Sequence, residues 1–172
     1  LSAAAVFSTI SAGRAQYDDP GVLTIEASPG KSLASYTAEQ LQQAFPQQEL
    51  ETIVPWLKDQ GKTLFRGPYL KDVLAKHGLG KHGVLAIAFD EYTADISAAD
   101  IDTYAPIVAT QTACTAKDHA SGLCAKDQAF RALRREENGF FRLIWPFDRL
   151  PASSSENDPR WIWALIVLRP AP

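Results

Sequence analysis

The chain has 172 residues, 46% of them apolar and 22% charged, with a formal net charge of -3. That is the balance of an ordinary folded domain with one hydrophobic core, and the length leaves little room for two. A net negative chain has no electrostatic pull on a nucleic-acid backbone, and no apolar run approaches the roughly 20 residues that span a bilayer.

The first residues run from Leu1-Ser2-Ala3-Ala4-Ala5-Val6-Phe7 to Gly13-Arg14-Ala15-Gln16. Small and apolar residues followed by Gly-x-Ala read as the tail of a signal peptide, or as an N-terminal extension over 1–16, ahead of a domain over 17–172. The expectation is an exported protein.

Gly21 to Ser28 then reads as a strand carrying Val22, Leu23 and Ile25, and Ser28-Pro29-Gly30-Lys31 as a turn. Thr37-Ala38-Glu39-Gln40 is a capping box for a short helix with Leu41, Ala44 and Phe45 on one face, ended by Pro46. Glu49 to Trp56 alternates as a strand, with Leu50, Thr52, Val54 and Trp56 on one side. Thr63 to Phe65 is a short extended piece. Gly67-Pro68 opens a helix with Pro68 at its first position, Leu70, Val73, Leu74 and His77 along its face, and Gly78 as its stop.

Val84 to Phe89 and Tyr92 to Ile96 read as two strands across a tight acidic turn, and Ser97 to Asp100 as a second capping box. Pro106 to Thr110 is extended, Thr112 to Gln128 is a polar loop, and Phe130 to Glu137 reads as a helical turn. Phe140 to Trp145 and Trp161 to Leu168 are apolar enough for buried strands, separated by a polar loop over Pro151 to Pro159. Strands and short helices alternate without a βαβ rhythm, which predicts an α+β domain built on a mixed sheet.

The two cysteines, Cys114 and Cys124, both fall in the polar stretch. An even count at short spacing predicts a disulfide formed in an oxidising compartment. Two free thiols are the alternative. A zinc site is disfavoured, since only His119 lies nearby and the paired ligand spacing is missing.

Four phrases carry the functional signal. They are Phe65-Arg66-Gly67-Pro68-Tyr69-Leu70, Ala88-Phe89-Asp90-Glu91-Tyr92, Arg142-Leu143-Ile144-Trp145-Pro146 and Arg160-Trp161-Ile162-Trp163. Each sets an aromatic ring beside a charge or a rigid turn, a pairing suited to a flat ligand with a polar rim. Glu137 adds a carboxylate able to accept two parallel donors, as an exocyclic amine and its neighbouring ring N–H would present. Its other reading is a solvated acid in the charge run Arg134-Arg135-Glu136-Glu137. Trp161 and Trp163, two apart on an expected strand, would share a face.

In order and spacing these phrases resemble the molybdopterin-binding domain of sulfite-oxidase-type enzymes. They are most similar to its short bacterial branch, which binds a free pterin without metal chemistry. The resemblance implies a pterin, in its reduced form, as the ligand. It implies Trp56, Phe65, Tyr92 and Trp145 as stacking rings, Glu137 as the reader of the pterin edge, and Arg66, Arg160 and Trp161 as further contacts. It also implies a periplasmic, non-catalytic protein that reports pterin to the periplasmic sensor domain of a membrane-bound cyclic-di-GMP enzyme.

This chain departs from the enzymes in having no cysteine before the Gly67-Pro68 turn, where their molybdenum-ligating thiolate stands. Glu137 also stands where the pterin-binding proteins carry Asp. The alternatives are a molybdopterin-dependent oxidoreductase or a subunit of one, and an interaction domain whose pocket has decayed.

Overall fold

The computed structural model describes residues 17–154 and 158–172, so the signal-like stretch over 1–16 lies outside the described residues. Among the described residues, eleven strands and four short helices form a mixed α+β arrangement, as expected. The first strand, β1 (Leu23–Ser28), puts Leu23 and Ile25 into the core and Thr24 and Glu26 on its other face. A turn at Pro29-Gly30 returns the chain as β2 (Lys31–Tyr36). The sequence reading passed β2 over, because it is a mostly exposed edge strand with little apolar alternation.

Thr37 caps α1 (Ala38–Ala44) and Gln40 returns the bond, so the capping box forms as read. The next strand, β3 (Gln48–Ile53), stops short of Trp56. Pro55 lacks the N–H a strand would use, and the chain coils into a 3-10 turn over Pro55–Gln60. It is followed by β4 (Lys62–Gly67).

Pro68 is not the first residue of the next helix. Its carbonyl accepts from Val108, Tyr69 bridges Ile107 and caps, and α2 (Leu70–Lys76) begins after them with Leu70, Val73 and Leu74 buried. The hairpin of β5 (Val84–Ala88) and β6 (Thr93–Ile96) follows as read. Ser97 caps α3 (Ala98–Tyr104) by accepting from the Asp100 N–H.

Beyond it come β7 (Ile107–Ala109) and β8 (Gln111–Ala113). The polar stretch expected to be loop contains a fourth helix, α4 (Ala116–Ala120), with its own Thr115–Asp118 capping box. Where a helical turn was expected, Phe130–Ala132 forms β9 against β8, and only Arg135–Glu137 coils. The last strands are β10 (Arg142–Ile144) and β11 (Leu165–Pro170).

A five-stranded sheet runs β2-β1-β11-β5-β6, with β1 and β11 parallel and the other pairs antiparallel. An antiparallel sheet runs β3-β4-β8-β9, and β7 pairs with β10. Leu23, Ile25, Ala86 and Leu165 from the first sheet pack in one core with Leu41, Leu74, Ile107 and Leu143.

Trp161 and Trp163 do not lie on β11. They precede it, in a segment where Ile162 bridges Leu143 and Ala164 takes a positive φ of 49°.

Candidate functional site

A cleft of about 250 Å³ opens between the β4–β8 sheet, the 54–60 turn and the segment leading into β10. Its walls include Phe65, Thr63, Thr112, Glu137, Asn138, Arg142 and Trp163. The backbone around it is set by the Asn138-Gly139 turn, where both residues have positive φ, 72° and 97°. A β-carbon on Gly139 would collide with the backbone of Ala164, so only glycine lets the two segments close here. The Ala164 N–H donates to the Asn138 carbonyl at 2.8 Å, which fixes Trp163 beside Arg142.

Arg142 dominates the electrostatics. It is 7% exposed, yet among the described residues no carboxylate pairs with it. Its Nη2 donates to the Glu137 carbonyl, its Cζ lies 4.5 Å from the Trp163 ring centroid, and its Nε finds no acceptor. Burial pushes its guanidinium down to about 10. The Trp163 indole N–H is likewise buried without a partner. Two residues of the cleft wall thus each carry a buried donor without an acceptor.

Glu137 is placed in the cleft as the sequence suggested, but its fork is engaged. Arg131 donates to both carboxylate oxygens, at 2.7 and 2.8 Å, and Arg134 Nη2 stands 3.3 Å from one of them. Burial opposes ionisation, and the bonds from Arg131 and Arg134 outweigh it, holding the carboxyl below its ordinary range. The geometry expected for a pterin edge is here filled by a guanidinium of the chain itself. Arg131 is in turn fixed from behind by Asp118, 3.1 Å from its Nε.

The other expected contacts divide. Phe65 lines the cleft from β4 and is buried. Trp56, at 40% exposure, stands edge-on to Trp163 and Trp161 with centroids 5.0 and 6.0 Å away, so the three indoles flank the cleft as one cluster.

Trp145 is not a stacking surface. It is fully buried, with the Arg160 guanidinium 5.3 Å from its ring centroid and Tyr104 against its edge, and its indole N–H donates to the Arg160 carbonyl. Arg160 belongs to that packed unit, held by Asp158, Asp100 and Ser154. Strand alternation puts Arg66 on the face away from Phe65, where it covers the Phe130 ring. Tyr92 is exposed in the β5–β6 turn and donates to the Pro159 carbonyl.

Of the other residues lining the cleft, Arg142 and Trp163 fall inside two of the four phrases without having been named as contacts, and Asn138 and Arg131 fall outside all four. One signal was available: Arg142 is the lone charge between Phe140 and Trp145 in an otherwise apolar run.

A larger hollow of about 390 Å³ lies against Tyr17, Asp18, Asp19, Thr24 and Ser35. It gathers none of the expected residues and has no buried cation on its wall. The donor set does not suit molybdenum, since Cys114 and Cys124, the two sulfurs able to give a thiolate, are joined in a disulfide. Among the described residues no group of His, Cys, Asp and Glu could hold a metal ion. No helix among the described residues is long and apolar enough to cross a membrane. No model of a known protein family matches the chain, and no curated protein matches it.

Proposed function

We propose that this chain is an exported, non-catalytic pterin-binding protein whose ligand occupies the cleft beside Arg142. The observation that carries the reading is the pair of buried, unpartnered donors on that wall, Arg142 Nε and Trp163 Nε1. A pterin carries a ring carbonyl and ring nitrogens that accept, and a flat face for the rim indole of Trp56. Asn138 and Gln60 also line the cleft. Their amides set a donor beside an acceptor, the complement of a pterin's amide edge, which Glu137 does not offer while Arg131 holds it.

The disulfide is compatible with export. The family resemblance extends the reading to a periplasmic location and to the sensor domain of a cyclic-di-GMP enzyme as the partner that reads the loaded state.

The test has two arms. Protein purified from the periplasm is denatured, and the released small molecules are examined by mass spectrometry and fluorescence. The emptied, refolded protein is then titrated with a reduced and an oxidised pterin. A released pterin, or saturable binding of either form, supports the reading. No release and no binding by folded protein sinks it and leaves a domain with a decayed pocket.

A further inference from the structure

The segment Thr115 to Ala129 forms part of the cleft wall through Thr115, yet it is hardly anchored by packing. Only Asp118 and Cys124 are buried within it, and Leu123, its one large apolar side chain, is 42% exposed. Besides the bond from the Cys114 N–H to the Ala129 carbonyl at its far end, 2.8 Å, two side-chain links hold it. One is the bond from Cys124 to Cys114, at the end of β8 next to the cleft residues Thr112 and Ala113. The other is the Asp118 carboxylate, which accepts from the Thr115 N–H and hydroxyl at 2.9 and 2.8 Å and meets Arg131 at 3.1 Å. From Arg131 the contacts run on to both oxygens of Glu137, and the Glu137 carbonyl accepts from Arg142.

We propose that the Cys114–Cys124 disulfide is a redox gate on the cleft. The gate rests on the ligand-binding reading above. The co-reactant is a dithiol. One of its thiolates attacks Cys114 Sγ, on the less buried of the two residues, and the S–S bond breaks with Cys124 as the leaving thiolate. The second thiol of the reductant displaces Cys114 and closes the reductant's own disulfide. Two electrons and two protons pass to the chain, which is left with two thiols. The segment then keeps the Cys114–Ala129 backbone bond at its end, and the stretch between frays, as short, poorly packed helices do, which loosens the Asp118–Arg131 contact. Thr115 leaves the wall, Arg131 loses the partner that aims it at Glu137, and the turn beneath Arg142 loosens. The oxidised form holds ligand and the reduced form lets it go.

The experiment compares oxidised protein, protein reduced with dithiothreitol, and the Cys114→Ser/Cys124→Ser variant. Each is titrated with 6-hydroxymethylpterin by fluorescence, and amide exchange is followed over residues 130–138. Reduction and the double variant are expected to weaken binding about tenfold or more, with recovery on reoxidation of the wild type. Exchange over 130–138 is expected to speed up. Asp118→Asn, with the disulfide intact, is expected to weaken binding and to respond less to dithiothreitol.

Equal affinity in the two redox forms of a binding protein overturns the gate and leaves the ligand reading intact. If even oxidised protein fails to bind the probe, the ligand reading falls, and exchange unchanged by reduction then overturns the gate as well. Global unfolding on reduction, read by circular dichroism, also overturns it, because a gate needs a folded reduced state.

Discussion

The guanidinium of Arg142 covers the indole of Trp163 at 4.5 Å, and each of the two side chains buries a donor that no described group accepts from. The cation–π contact offsets part of the cost of burying an unpaired charge, but not the loss of its hydrogen bonds. A side chain buried at such a cost destabilises the protein unless another group meets its donors.

Replacing Arg142 should therefore separate stability from binding. Arg142→Met removes the buried charge at similar volume and is expected to raise the stability of the empty protein, by roughly 1–3 kcal/mol. The same variant should lose pterin affinity by about 10- to 100-fold, the worth of a charge-assisted hydrogen bond. Urea unfolding and ligand titration on the same preparations check both directions. A variant both less stable and unimpaired in binding would remove Arg142 from the site.

Glu137→Gln and Glu136→Gln, neighbours in sequence, should behave very differently. Glu137 holds Arg131 through both oxygens, whereas Glu136 is exposed. Gln at 137 presents an NH2 group to a guanidinium donor, turning one bond into a repulsion. A loss of roughly 1.5–3 kcal/mol in urea unfolding is expected for Glu137→Gln, and a change within about 0.5 kcal/mol for Glu136→Gln. Pterin affinity should fall with the first variant through the displaced Arg131.

Acid should also loosen the same region. The backbone N–H of Thr115 bonds the Asp118 carboxyl, burial opposes ionisation, and the Thr115 hydroxyl and Arg131 join in holding it down to about 2. Its ordinary value is 3.8. With the folded value depressed, the stabilisation is complete above the ordinary value and is lost as pH falls through the folded one. It amounts to roughly 2 kcal/mol. Tm measured from about pH 6 down to about pH 2 should drop steeply below about pH 4 in the wild type and less steeply in Asp118→Asn. Parallel curves would refute the assignment.

Gly139→Ala tests the turn that joins the two halves of the cleft. It meets both a positive φ and the Ala164 backbone. A cost of about 1–3 kcal/mol from strain alone is expected, with weaker pterin binding as the Arg142–Trp163 pair shifts. Thermal unfolding and titration check it, and an unchanged Tm would show that the turn relaxes freely.

Much of the fold was legible because it rests on local chemistry. The Thr37–Gln40 capping box, the helix face of Leu70, Val73 and Leu74, and the β5–β6 hairpin all follow from patterns a few residues long. The disulfide followed from cysteine count and spacing. The failures were decided by strand pairing that residue pattern does not show. Phe130–Ala132 became a strand because β8 offered it an edge, and β2 formed on β1 despite a polar face.

The residues named from type divide in the fold for the same reason. Phe65, Trp56, Trp161 and Glu137 were read from residue type, and they do gather at or beside the cleft. Trp145 and Arg160 show the same residue types, yet they satisfy each other in a packed unit. Residue type says which groups can bind a flat ring, and only tertiary packing says which are left with nothing else to bind.

The position of β11 has a consequence for how the chain is made. It comes after every other strand in sequence, yet it is inserted at the middle of the five-stranded sheet, between β1 and β5. Until Leu165–Pro170 arrives, β1–β2 and β5–β6 are separate hairpins, each with a bare strand edge. Synthesis from the N-terminus thus leaves the five-stranded sheet in two parts until its last strand arrives, while the strands of the β3-β4-β8-β9 sheet are already made. Closing the five-stranded sheet therefore depends on contacts between segments far apart in sequence, which form late. A chain truncated ahead of β11 would leave both hairpins open to pairing with their neighbours.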